Sequence, residues 1–186
     1  MAQLNIEEIF VSFIASDQLT LSDNDGLVKT CLDKVESAQD NNQSYIDYDE
    51  KDNYQDLFMQ VQGRIDALSN HYELNKLQIT NAWINVDNGI SITGAHNHAQ
   101  DVLSGVYYVS AGEGSGNLEF LSPVTASSYV FGKGTRTGMN RLNSDQWTIT
   151  PQTGKLIIFP SWLYHYVRIN TDTANRISIA FNASFA

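Results

Sequence analysis

Four histidines occur in the chain, and three of them lie where one metal ion could be held. His96 and His98 form an HxH pair. His165 follows far downstream, closing the run Gly154-Lys-Leu-Ile-Ile-Phe-Pro-Ser-Trp-Leu-Tyr-His165. Arg176 comes next, inside Arg176-Ile-Ser-Ile-Ala-Phe-Asn182. On an extended strand the side chains at i and i+2 share a face, so the HxH pair can aim at one point. A third ligand arriving from a distant strand closes one side of a metal and leaves the other side open for chemistry. Neutral imidazole suits iron, zinc, copper and nickel. His71, the fourth histidine, stands in a helical pattern with no partner ligands around it and reads as an ordinary helix residue.

A β framework must carry these residues. From Lys76 onward short β-like runs follow one another: 77–86, 90–98, 102–110, 116–121, 146–150, 154–160, 164–170 and 176–183. Asp87-Asn88-Gly89, Gly112 to Gly116 and Pro151-Gln-Thr-Gly154 punctuate them as turns. Many short strands at this spacing predict a β-sandwich or jelly roll. Residues 8–15 read as a strand. Ser22-Asp-Asn-Asp-Gly26 offers N-cap chemistry for a helix from Leu27 to about Ala38, with apolar residues at 27, 28, 31, 32 and 35. Residues 39–53 read as a loop. A second helix is predicted over about 53–72, with Leu57, Phe58, Val61, Ile65 and Leu68 on one face. The expected architecture is a single domain over 1–186. Residues 1–75 supply a strand and two helices packing on a mainly β core at 76–186. Trp83 and Trp147 are expected in that core.

Composition narrows the function classes. A chain of 186 residues can bury a sizeable core. The net charge of −10 argues against a protein built around nucleic acid or an anionic membrane. No apolar run approaches the roughly 20 residues of a membrane helix. The N-terminus lacks a signal-peptide pattern, so a cytoplasmic protein is expected. Cys31 is the only cysteine, which excludes an internal disulfide and predicts a small buried helix residue. Residues 122–146 form a weakly patterned loop in which Lys133, Arg136 and Arg141 concentrate positive charge. They read either as solvated surface or as a lid with affinity for an anionic partner.

The segments around the histidines resemble the Fe(II)- and 2-oxoglutarate-dependent oxygenases, in particular a branch common in phages and marine bacteria. The residues that carry the resemblance are His96-Asn-His98, Leu103-Ser-Gly-Val-Tyr-Tyr-Val109, Gly116-Asn-Leu-Glu-Phe120, the 154–165 run and the 176–182 run. They occur in the family's order over roughly 83–183. The prolyl hydroxylases show a similar arrangement. The resemblance implies a double-stranded β-helix, cupin-like in outline, with the metal at its open end. It implies Fe(II), with 2-oxoglutarate as co-substrate. The implied reaction is hydroxylation of a C–H bond with decarboxylation of 2-oxoglutarate to succinate, in a bacterial or phage-infected cytosol. The primary substrate, a small molecule or a peptide, is not readable from the sequence, and a homo-oligomer is compatible with it.

The same resemblance implies roles for single residues. Arg176 would hold the far carboxylate of 2-oxoglutarate, for which a planar guanidinium fork is suited. Ser178 and Tyr108 would add hydroxyl donors. The alternatives are a surface ion pair for Arg176 and plain core packing for Tyr108. One departure stands out: much of the superfamily has an acidic residue where this chain has His98. Two ligand sets therefore remain. Either His96, His98 and His165 form a three-histidine face, or Asp101 completes a set of two histidines and one carboxylate. The first is favoured, because Asp101 does not share a strand face with either histidine. A site without carboxylate leaves the metal at +2 and should lose it as pH falls through about 6–7.

Two rivals belong to other classes. A cupin shares the HxH pair and nearly shares Gly154…Pro160-x-Trp162-x-x-His165. Trp162 replaces the expected cupin glycine, however, and Val102 and Leu103 stand where a cupin glutamate should be. The cupin reading also leaves Arg176 unexplained. The other rival is a jelly roll kept for structure or attachment without catalysis.

Overall fold

The computed structural model describes residues 12–38, 43–87, 89–124, 137–171 and 175–185. Among the described residues, ten strands form two antiparallel sheets. The larger sheet contains β1 (Ala15–Gln18), β2 (Gln43–Tyr45), β3 (Leu77–Asp87), β5 (Leu103–Ser110), β8 (Lys155–Pro160) and β10 (Arg176–Phe185). Its spatial order is β1-β8-β5-β10-β3-β2. The smaller sheet contains β4 (Ser91–His96), β6 (Leu118–Leu121), β7 (Gln146–Ile149) and β9 (His165–Asn170), in the order β4-β9-β6-β7. This is the jelly roll, or double-stranded β-helix, expected from the sequence. No helix among the described residues is long and apolar enough to cross a membrane.

Two helices, α1 (Asn24–Ala38) and α2 (Gln55–His71), pack on one face of the larger sheet. Each buries a stripe at four-residue spacing. In α1 it is Leu27, Cys31 and Val35; in α2 it is Leu57, Val61, Ile65 and Ser69. Asp23 accepts the Gly26 backbone N–H at 2.8 Å and closes the start of α1. Cys31 is fully buried, and burial pushes its thiol up to about 12, so it serves as packing.

Strand alternation divides the larger sheet. Along β3, Ala82, Ile84 and Val86 turn to the helices; along β10, Ile177, Ile179 and Phe181 do so. Positions 81, 83, 85 and 87 of β3 and 176, 178, 180 and 182 of β10 line a cavity that faces the smaller sheet. Gly105 on β5 permits this close layering. A Cβ there would lie 2.2 Å from the Phe181 ring and 2.8 Å from the Ile157 carbonyl oxygen. Gly154, at φ +84°, makes the left-handed turn that leads into β8.

Three sequence expectations need correction. The first strand lies at Ala15–Gln18 rather than 8–15, because its ladder with β8 starts at Ala15 opposite Ile158; residues 8–11 lie outside the described residues. The 39–53 segment contains β2 and a 3-10 helix, Tyr48–Tyr54, where only a loop was expected. Trp147 is 44% exposed on the edge strand β7, not core. Of the basic loop, Lys133 and Arg136 lie outside the described residues.

Candidate metal centre

His96 ends β4, and its Cα pairs with that of His165 at the start of β9. The two rings are 4.4 Å apart, centroid to centroid. His98 lies just past the strand, so the pair does not follow simple strand alternation. It swings in from a turn instead, with its ring 5.0 Å from His96 and 5.4 Å from His165. Each histidine offers a ring nitrogen, and these atoms lie within 4.8 Å of one another. Among the described residues this is the one cluster of that kind, and Asp101 is not in it.

Backbone carbonyls orient two of the three rings. His96 Nδ1 donates to Gly94 O at 2.8 Å, and His165 Nδ1 donates to Leu163 O at 2.9 Å. A carbonyl can only accept, so Nδ1 carries the proton and Nε2 keeps a lone pair for a metal. His165 is buried against Phe159 and Phe120, at 4.7 and 6.1 Å. Burial is the main cause that brings its pKa down to about 4, and the neighbouring histidines add to it. His98 is lowered for the same first reason, opposed by Asp101. Both rings therefore resist protonation more than a free imidazole does.

His98 is held through its backbone. Its N–H donates to Ser161 O at 2.8 Å, and its carbonyl accepts the Asp101 N–H at 2.9 Å. The fully buried Ser161 returns its hydroxyl to the Asp101 carbonyl. The Asp101 carboxylate accepts from Ser184 Oγ at 3.0 Å and Thr80 Oγ1 at 3.3 Å. Asp101 thus ties the His98 turn to β10 and β3. The reading of Asp101 as a ligand is corrected: its carboxylate is turned to these hydroxyls.

Acid sensitivity follows from His165. Above pH 6.5 the imidazole is neutral in both folded and unfolded chains, and it adds no pH dependence. Between 6.5 and about 4 the unfolded chain takes up a proton that the folded site refuses, so stability falls as pH falls. The loss from this group should approach about 3 kcal/mol below pH 4. Thermal melts of metal-free protein from pH 7 to 4.5 should show a steeper decline for the wild type than for His165→Gln. Equal slopes would contradict it.

Arg176 and Tyr108 lie deeper in the same cavity. Arg176 is buried and its Nη1 pairs with the Asp87 carboxylate, its cross-strand neighbour on β3. Among the described residues its Nε has no hydrogen-bond partner, and neither has the buried Tyr108 hydroxyl. The guanidinium carbon sits 5.4 Å from the Tyr108 ring centroid, close enough to act on the phenol electrostatically without a formed hydrogen bond. Burial pushes the Tyr108 pKa up, and Arg176 opposes that shift. Ser178 stands directly across the ladder from Tyr108 and lines the same space.

Sequence reasoning missed Asp87, read as a turn residue, and Trp83, read as core. The Trp83 ring is half-buried in the cavity wall, 5.6 Å from His98. The signal was the period-2 alternation of β3, where polar and aromatic residues at 81, 83, 85 and 87 interleave with apolar 82, 84 and 86. His71 lies at the exposed end of α2, away from the cluster.

The chain was compared with known proteins. Residues 81–182, more than half of the chain, match the family described as "Putative 2OG-Fe(II) oxygenase". No curated protein sequence matches. Among solved structures, a Pseudomonas putida prolyl-4-hydroxylase is similar at TM-score 0.65 and 12% identity, over 93% of this chain and 92% of that one. HygX from Streptomyces hygroscopicus, with nickel and 2-oxoglutarate bound, is similar at TM-score 0.61 and 10% identity, over 95% and 84%. A viral collagen prolyl hydroxylase from Paramecium Bursaria Chlorella virus-1, in its 2OG complex, gives TM-score 0.61 and 12% identity, over 93% and 96%. At these identities the likeness concerns the fold.

The chain belongs to the 2OG-Fe(II) oxygenase family. That membership makes it an oxidoreductase of the kind that works with Fe(II) and 2-oxoglutarate.

Proposed function

We propose that the chain is a hydroxylase that inserts oxygen into a substrate C–H bond, with His96, His98 and His165 as the iron ligands. The observation that carries this reading is the pair of buried, unpartnered polar atoms, Arg176 Nε and Tyr108 Oη, in the cavity that also holds the three imidazoles. Burying such donors without partners is costly, and a ligand carboxylate would satisfy both. A cupin-type metal protein or a non-catalytic jelly roll gives these atoms no purpose.

Bound Fe(II) with 2-oxoglutarate supplies the oxidising power, coupling O2 to decarboxylation of 2-oxoglutarate and oxidation of the substrate. The protein's residues do the rest. His96 and His165 present Nε2 because carbonyls hold their Nδ1 protons. Three neutral ligands leave the dication's charge to be balanced by the co-substrate dianion. Asp87 fixes the guanidinium so that the Nε edge of Arg176 is free for a carboxylate, with Tyr108 and Ser178 alongside. Phe159 and Phe120 pack on His165 and exclude water from it.

Protein supplied with Fe(II), 2-oxoglutarate, air and ascorbate, which takes the place of the unidentified substrate as the two-electron donor, should release succinate, with omission of Fe(II), 2-oxoglutarate or O2 stopping it. A preparation that holds both iron and 2-oxoglutarate yet releases no succinate in air with ascorbate present would contradict the proposal.

Asp101 acts here as a positioning residue. Asp101→Ala should weaken Co(II) binding by about 10- to 100-fold, the usual scale for an outer partner of a metal ligand. Asp101→Asn keeps an acceptor for Ser184 and Thr80 and should restore most of that affinity. Wild-type affinity in the alanine variant would remove this role.

A further inference from the structure

We infer that the mouth of the cavity is a subsite for an uncharged, hydrogen-bonding substrate that lays an apolar face on Trp83. This rests on the oxygenase reading and names the class of substrate that it would take. The strand register arranges the cavity face in rows. Gln43, Asn85, Ser178 and Tyr108 stand across β2, β3, β10 and β5 in one row. Tyr45, Trp83, Ala180 and Val106 form the next. Asn81, Asn182 and Ser104 form a third. All of these side chains line the one cavity, of about 390 Å³.

The aromatic row sits between two carboxamide rows. Tyr45 is 64% exposed at the mouth, its ring 6.1 Å from that of Trp83, and Trp83 leads to His98. An aliphatic or ring C–H face can stack there within reach of the metal. On one flank, Ser104 Oγ donates to Asn182 Oδ1 at 2.7 Å, and Asn182 Nδ2 donates to Asn81 Oδ1 at 3.0 Å. That chain fixes Asn81 by its oxygen and leaves its amide nitrogen for a ligand acceptor. On the other flank stand Gln43 and Asn85. Asn81 and Asn85 are four residues apart on β3, a span of roughly 13 Å, so a ligand touching both rows must be extended.

Charge settles the class. Among the described residues, the only charged side chains lining the cavity, histidines aside, are Arg176 and Asp87. They are paired with each other, and the oxygenase reading commits Arg176 further to the co-substrate. An anionic substrate would give up water there without meeting a counter-charge, and a cationic one would have to take Asp87 from Arg176; either is disfavoured. Carboxamides carry both donors and acceptors and serve a neutral polar ligand without that cost.

The test is 19F NMR of protein labelled with 5-fluorotryptophan, loaded with Zn(II) and 2-oxoglutarate, with the Trp83 line assigned by Trp83→Phe. The probes are matched pairs on two skeletons: N-acetyl-alanyl-alanine amide beside its free acid, and methyl glucopyranoside beside glucuronate. A neutral member should move the Trp83 line saturably, and its anionic partner should bind at least about tenfold more weakly. Asn81→Ala should weaken the neutral probe. Anionic probes that bind equally well or better, or a Trp83 line that none of the probes moves, would overturn the inference. Metal and 2-oxoglutarate binding are scored in the same samples. Failure there sinks the oxygenase reading, whereas failure at Trp83 alone sinks only the subsite.

Discussion

His165→Ala is expected to abolish metal binding at micromolar concentrations while leaving the chain folded. His165 is the most constrained of the three ligands. It is buried, its register with His96 is fixed by the β4–β9 ladder, and its Nδ1 is tied to Leu163. Two imidazoles remaining on one side of an ion cannot replace it, and Asp101 is turned to Thr80 and Ser184. The loss in affinity should exceed the roughly 10- to 100-fold that follows removal of an outer partner. Because truncation leaves a gap beside Phe120 and Phe159, His165→Gln is the better-packed companion variant and should lose metal too. Calorimetric titration with Co(II), beside circular dichroism, separates lost metal from lost fold. Folded His165→Ala protein that binds Co(II) like wild type would remove the ligand assignment.

Arg176→Ala should show the opposite split, retaining metal while 2-oxoglutarate affinity falls. Hydrogen bonds to a charged group contribute about 1.5–3 kcal/mol each, so loss of the guanidinium should weaken 2-oxoglutarate by roughly 10- to 100-fold. The variant also leaves Asp87 without its ion-pair partner, which lowers stability, so Arg176→Lys is the control. Lysine keeps the charge but lacks the planar fork, and an intermediate affinity is expected. Binding of 2-oxoglutarate to folded Arg176→Ala at wild-type strength would show that the cavity's deep end is not its site.

How much of this was legible in the letters depended on whether local pattern or distant pairing decides the structure. The strands from β3 to β10 were readable because turn residues bound them and β-branched and aromatic residues, alternating in β3 and continuous in β8, fill them. Arg176-Ile-Ser-Ile-Ala-Phe-Asn182 even names its own faces: isoleucines and phenylalanine to the helices, Arg176, Ser178 and Asn182 to the cavity. By contrast, β2 is a three-residue strand with the polar sequence Gln-Ser-Tyr. It exists because it pairs with 83–85 of β3, and no local signal announces that. Trp83 was misread because tryptophan is so often core; only its parity with Asn81, Asn85 and Asp87 separates it from the apolar face.

The ligand triad was legible as residue types and order, but its geometry was not. Strand alternation suggested why His96 and His98 could converge, whereas His98 in fact enters from a turn pinned by Ser161 and Asp101. Ser161 sits inside the run that leads to His165 and Asp101 three residues past His98, but their holding role appears only once β10, β3 and the 160–163 turn meet. Asp87 likewise carried a turn signal in sequence and an ion pair in space. Such partners are chosen by tertiary register, which a single chain of letters does not print.

The most direct measurement is anaerobic titration of 2-oxoglutarate into the Fe(II)-loaded protein, followed by visible absorption. Chelation of the keto acid by iron held on His96, His98 and His165 should produce a weak charge-transfer band that saturates with 2-oxoglutarate and is absent in His165→Ala. Iron-loaded protein that shows no band at saturating 2-oxoglutarate, or a band that survives in His165→Ala, would contradict the account.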